Sequence, residues 1–160
     1  LLIRKLYPDI FSSDTGRAGA FLTGFFKKGL TKVDSPVYSH MIRWDNTSQI
    51  RTFFSEDLRG VIEMADDFAD RFSAGLPAEF MSWDPLSRAQ YIEISILLSN
   101  YLLSSQGDRM AMGHSVEGRY PFLDYRVVDF ACSIQPKFRL NVLRDKFILR
   151  QAANSLIHRS

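Results

Sequence analysis

A chain of 160 residues has the length of one domain or of part of a larger one. Its hydrophobic fraction of 46% supplies a core and excludes wholesale disorder. The formal net charge is only +2, and Lys and Arg are scattered with no basic stripe, which speaks against a nucleic-acid partner.

In chain order, Ser13 or Asp14 is placed to cap a helix with Ala18, Phe21, Leu22, Phe25 and Phe26 on one face and Gly29 at its end. Ser35-Pro36 opens a second helix, with Tyr38, Met41 and Ile42 facing inward. Ser55, followed by Glu56 and Asp57, starts a third, whose stripe is Leu58, Ile62, Ala65, Ala69 and Phe72. Gly75-Leu76-Pro77 breaks the pattern. Asp84-Pro85 opens the longest helix, through Ile92, Ile96 and Leu103 to Ser104 or Ser105, and its apolar stretch from Ile94 to Leu103 is expected to be central and buried. Gln106-Gly107 is expected to interrupt it before a short helical stretch from Asp108. Pro121 biases Tyr120 away from helical angles and ends that stretch. Asp124 can cap a helix through Cys132, and positions 145 to 156 read as the last. No segment alternates with period two, so strands are expected to be absent or short. The reading is an all-α helical bundle.

The single cysteine, Cys132, can form no internal disulfide, which fits a reducing cytoplasm. No apolar run approaches the roughly 20 residues of a membrane span. The segment Leu1 to Leu6 is too short and wrongly ordered for a secretory signal, and the missing initial methionine is expected of a chain cut from something longer. His40, His114 and His158 have no metal-ligand spacing, so no metal site is expected.

The window from Tyr101 to Asp124 carries Asp108-Arg109-Met110 and then Ser115-Val116-Glu117-Gly118-Arg119-Tyr120-Pro121-Phe122-Leu123-Asp124. Lys146-Phe147-Ile148-Leu149-Arg150 follows about twenty residues downstream. Together they resemble the glutamine-hydrolysing asparagine synthetases, over the C-terminal part of the synthetase domain. Leu6-Tyr7-Pro8 and Phe54-Ser55-Glu56-Asp57-Leu58 are weaker markers of the same family. Gly113 and Gly118 depart from it, standing where bulkier or helix-favouring residues are common.

The resemblance implies a parent α/β domain of the ATP-pyrophosphatase type (adenine nucleotide α-hydrolase-like), of which this chain is the helical second half. The family's Ser-Gly-Gly-x-Asp-Ser loop and its N-terminal glutaminase domain do not occur in this sequence. The implied reaction converts aspartate to asparagine through β-aspartyl-AMP, using ATP with Mg2+ and ammonia from the glutaminase domain. Lys146 is the implied catalytic residue, set against the phosphates and the acyl intermediate. An exposed structural lysine is the plainer alternative. Glu117 is the second implied catalytic residue and Arg119 an anion holder, or the two form a structural ion pair two residues apart in extended chain. Asp108 and Arg109 are expected to border the substrate pocket, unless Asp108 is only a helix cap. Two rivals remain: a related amidotransferase-like ligase for another carboxylate, and a helical interaction module without chemistry.

Helices that should cover a missing sheet would leave Phe21, Phe25 and the Ile94 to Leu103 stretch open to solvent, so a homodimer or larger aggregates are expected. Without the pyrophosphate-cradling loop, the 160-residue chain alone is expected neither to bind ATP tightly nor to make asparagine. Isothermal calorimetry should show no ATP binding in the micromolar range, and a clear isotherm there would defeat the expectation.

Overall fold

A computed structural model of the chain describes residues 17–27, 32–64 and 67–156. The first-helix cap at Ser13 or Asp14, Gly29, Ala65 and the Leu6-Tyr7-Pro8 marker lie outside them. The described residues are mostly helical, with one short hairpin as the strand structure among them, and the chain divides into two compact units with the boundary between Trp83 and Asp84.

In the first unit, α1 runs Arg17–Lys27 and α2 runs Tyr38–Ser48, continued by a 3-10 turn over Gln49–Phe53. Val37 holds the N-cap of α2 with no side-chain capping bond, so Pro36 precedes the helix rather than opening its first turn. The predicted inward residues Tyr38, Met41 and Ile42 are half-buried, while Val37 and His40 are buried. His40 shares a hydrogen bond of 2.8 Å between its Nδ1 and Ser39 Oγ, and its ring lies 5.7 Å from that of Trp44. Trp44 in turn meets Phe68 and Phe72 edge-on, at 5.1 and 6.0 Å between ring centroids, the geometry that aromatic quadrupoles favour.

The expected third helix is two helices. α3 spans Glu56–Glu63, capped by Ser55 Oγ, which accepts from Leu58 N at 3.4 Å. α4 spans Phe68–Ala74, and Asp67 restarts the helix with Oδ1 accepting from Ala69 N at 2.7 Å. The capping carboxylate stands mid-way along the apolar stripe, and periodicity alone does not register such a break. Gly75 closes α4, as the Gly-Leu-Pro signal implies.

In the second unit, α5 covers Pro85–Glu93, with Asp84 Oδ1 accepting from Leu86 N at 2.8 Å and Pro85 in the first turn. Helix continues without interruption into Ile94–Asp108, which is π-helical, and then into α6, Arg109–Gly113. Gln106-Gly107 therefore does not break the helix. The wider π repeat brings Leu102 O to 2.8 Å from where a Cβ on residue 107 would stand, so glycine is the residue that fits there. Side chains take up carbonyls along the segment: Ser99 Oγ and Asn100 Nδ2 each donate to Ser95 O at 2.8 Å. The expected burial of Ile94 to Leu103 is not met. Ile92 is fully buried, but Ile94, Tyr101 and Leu102 are exposed, and Ile96, Leu97 and Leu98 only half-buried.

A 3-10 turn over Pro121–Leu123 leads to α7, Tyr125–Ser133, followed by the single turn α8, Pro136–Arg139. The antiparallel pair β1, Leu140–Asn141, and β2, Arg144–Asp145, has two residues in each strand. The last described helix, α9, is Phe147–Ala153 and packs against α8. It starts two residues later than the pattern predicts, because Asp145 is taken into the strand and Lys146 turns the chain with left-handed angles.

Asp84 both caps α5 and stands at the unit boundary. Asp84→Ala should destabilise the fold by about 0.5–2 kcal/mol, and Asp84→Asn by much less, because asparagine keeps the capping acceptor. Thermal unfolding of the two variants checks it, and equal midpoints for alanine and wild type would remove the cap from consideration.

Candidate functional site

All five residues singled out in the sequence lie in the second unit. Glu117 and Arg119 stand in the non-helical stretch between α6 and Pro121. Ser115 enters it with a left-handed φ of 59°, and Val116 N donates to Ala111 O at 2.9 Å to close the end of α6. Tyr120 has φ −117° and ψ 82°, the extended conformation that a following proline demands. Extended chain puts alternate residues on one side, and Arg119 NH2 meets Glu117 Oε2 at 2.6 Å. Both side chains are largely exposed (84% and 78%), so this ion pair contributes little to stability.

Asp108 is not a helix cap. Its backbone is helical, it makes no capping bond, and the helix runs through it into Arg109. Both residues are exposed on that continuous helix. Among the described residues no hydrogen bond or ion pair joins Asp108, Arg109 or Lys146 to the Glu117–Arg119 pair.

Lys146 is the hinge between β2 and α9. Its φ of 50° and ψ of 36° are left-handed, an uncommon place for a residue with a Cβ. Two neighbours fasten the turn: Arg150 Nε donates to Asp145 O at 3.0 Å, and Arg150 NH2 pairs with Asp145 Oδ1 at 3.0 Å. Val142, in the two-residue hairpin loop, is left-handed as well, with φ 57°. Loops of this length favour positive φ because their twist matches the strands, but a β-branched residue there is strained. The hairpin thus holds Lys146 exposed at the start of α9, with Asp145 already engaged by Arg150.

The hairpin is tied to the rest of the unit by Arg139, a residue that no motif singles out. Its guanidinium donates to Ser87 Oγ at 2.7 Å and to Gln90 Oε1, both on α5. These partners are 52 and 49 positions away, and no local pattern marks such a contact. Asp124, by contrast, does what its position before α7 suggests: its Oδ1 accepts from Arg126 N at 2.9 Å. It also receives Arg126 Nε at 3.0 Å and NH2 at 2.8 Å.

Among the described residues no cluster of three or more His, Cys, Asp or Glu is placed to hold a metal ion. No helix among them is long and apolar enough to cross a membrane.

Comparison with known proteins adds to this geometry. The profile of the asparagine synthase family matches residues 6–160. The chain belongs to the asparagine synthase family. It is 32% identical over 81 residues to the amidase chyE of Penicillium rubens, covering 47% of this chain and 12% of that protein. It is 40% identical over 53 residues to glutamine-hydrolysing asparagine synthetase 2 of Bacillus subtilis, covering 33% and 7%. A putative glutamine-hydrolysing asparagine synthetase of Mycobacterium tuberculosis is 31% identical over 85 residues, covering 53% and 13%. The chain therefore spans only about an eighth or less of these relatives. No solved structure matches it. Membership in the family agrees with the helical half of an ATP-pyrophosphatase-type domain, which the absence of any longer strand among the described residues also fits.

The Arg126 guanidinium, and after it the Arg126 backbone N–H, holds the Asp124 carboxyl below the ordinary aspartate value of 3.8. A carboxyl whose folded pKa is depressed stabilises above its unfolded pKa and loses that stabilisation as pH falls through the folded value. The cap of α7 should therefore persist below pH 3.8 and open only in stronger acid. The Arg126 amide shift, followed by NMR, should titrate with a midpoint below 3.8, and Asp124→Asn should abolish that step. A midpoint at or above the ordinary value would remove the Arg126 contact from solution.

Proposed function

We propose that this chain supplies part of the synthetase site of an ATP-dependent amide ligase that makes asparagine from aspartate through β-aspartyl-AMP. The ammonia would come from glutamine hydrolysed in a separate domain. The observation that carries the reading is the presentation of Lys146. A left-handed turn sets it at the start of α9, exposed, while the adjacent Asp145 is occupied by Arg150. Among the described residues the ammonium has no carboxylate partner, so its charge is available to a ligand.

The donor set fits a phosphate-bearing ligand. Adenylation and aminolysis both build negative charge on oxygen, and a fixed ammonium stabilises that charge better in the transition state than in the ground state. When bound, ATP with Mg2+ would supply the activated phosphorus and a good leaving group. Lys146 would then lie against the phosphates and the acyl oxygen. Glu117 would steer the substrate amino group or a proton, with Arg119 beside it to hold an anion. Asp108 and Arg109 would border the same pocket from the end of the π-helical segment. The reaction belongs to a reducing cytoplasm, in keeping with the lone Cys132.

A second reading keeps the ligase chemistry but puts another carboxylate in place of aspartate, since one matched relative is named an amidase and not an asparagine synthetase. Lys146 would keep its role there, since the charge it faces is the same. The acceptor would be read by other parts of the protein.

In the full-length enzyme, Lys146→Ala should lower asparagine formation about a hundredfold to a thousandfold, the loss of roughly 2.7–4 kcal/mol expected for one preorganised donor. Glutamine hydrolysis should continue, because it uses its own nucleophile. Lys146→Arg should rescue poorly, because a planar guanidinium does not occupy the same point. Asparagine and glutamate are measured in parallel on folded protein. Near-normal asparagine output from the alanine variant would return Lys146 to the surface lysines. Loss of amide formation only with a carboxylate other than aspartate would favour the second reading.

A further inference from the structure

The stretch that carries Glu117 and Arg119 is held by its other face. Gly118 and Tyr120 alternate with the charged pair, and the Tyr120 ring folds back over residue 118. A Cβ on Gly118 would stand 2.6 Å from Tyr120 Cζ and 2.7 Å from Cε2, and would collide with the hydroxyl oxygen as well. The same hydroxyl lies 3.7 Å from where a Cβ on Gly107 would stand, an ordinary van der Waals distance. Gly107 belongs to the π-helical segment. The ring therefore stands over Gly118 with its hydroxyl end near Gly107, in the helix before the extended stretch.

Each part of this arrangement has a local cause. Pro121 denies Tyr120 helical angles, and extended chain then puts Tyr120 on the side of Gly118. Gly118 leaves the space the ring occupies. Gly107 is required by the π repeat and leaves its surface bare beneath the hydroxyl. Gly113, in the same window, has nothing within 4 Å of where a Cβ would stand and takes no part.

We propose that Tyr120 is a positioning residue: seated on Gly118 and Gly107, its ring fixes the extended stretch so that Glu117 and Arg119 face away from the helix, toward substrate. The consequence for catalysis rests on the role given to Glu117 above, whereas the lock itself does not. Gly118 and Tyr120 then form a matched pair, in which any larger residue at 118 would strike the ring.

The test has a spectroscopic arm and a kinetic arm. In protein carrying 13C-labelled glycine, the Tyr120 ring current should move the Gly118 Hα resonances away from the other glycines. Tyr120→Leu should abolish the displacement and Tyr120→Phe should keep it. In the full-length enzyme, Tyr120→Leu and Gly118→Ala should each lower kcat by roughly tenfold to a hundredfold, the cost of misplacing a reacting group by about an ångström. Tyr120→Phe should stay near wild type. The double variant Tyr120→Leu/Gly118→Ala should be no worse than Tyr120→Leu alone, because alanine then has no ring to strike. An undisplaced Gly118 signal in wild-type protein overturns the lock, whatever the kinetics. Normal kcat in Tyr120→Leu alongside a large loss in Glu117→Gln overturns the positioning role and leaves the reading of Glu117 intact. Normal kcat in Glu117→Gln overturns that reading instead, and the Gly118 signal still decides the lock.

Discussion

The second unit depends on the contact between Arg139 and α5. Five short elements follow Asp124, and none is long enough to be stable alone. Arg139 ends the single turn α8 and reaches Ser87 and Gln90, so the hairpin and α9 that follow are referred to a helix some fifty residues earlier. Its partners are neutral oxygens, and its buried Nε has no hydrogen-bond partner among the described residues. A guanidinium held in this way gives direction rather than strength, since each hydrogen bond replaces one to water. Its value is to fix where the chain turns into β1, and hence where Lys146 emerges.

Downstream of that anchor the backbone is strained. Val142 and Lys146 bracket β2, and both have left-handed φ without being glycine. Such residues cost about 1–3 kcal/mol each and persist where the surroundings over-determine them. The Asp145–Arg150 brace supplies part of that determination at Lys146. A lysine held in an unfavourable conformation at the start of a helix, where cations are electrostatically disfavoured, is doubly out of place as a structural choice.

The apolar surface has a related meaning. Val37, Phe80 and Ile92 are the fully buried hydrophobic residues among those described, although the sequence is rich in them. Tyr125 and Phe130 on α7, and Phe122 before it, are 73%, 66% and 70% exposed. Soluble monomers rarely leave so much apolar surface open. Helices that pack on one face of a sheet in an α/β domain carry such faces, in keeping with the family to which this chain belongs.

Much was legible locally. The caps at Ser55, Asp84 and Asp124, the break at Gly75, the extended angles of Tyr120 and the Glu117–Arg119 pair all follow from residues within three or four positions of one another. The family was legible too, because its motif is contiguous. The split between α3 and α4 was hidden because the apolar stripe continues across it. The π-helical geometry was hidden because the stretch from Ile94 to Leu103 is apolar nearly all round and so carries no face from which a repeat could be read. By itself the sequence determined the helical class, the capped starts at Ser55, Asp84 and Asp124, and the family. Only the tertiary structure decided that Arg139 anchors the hairpin, that Lys146 is presented by a left-handed turn, and that Tyr120 bridges Gly107 and Gly118. The Arg139 contacts join residues about fifty positions apart that no short-range pattern relates, and their energy exists only once the chain has brought them together.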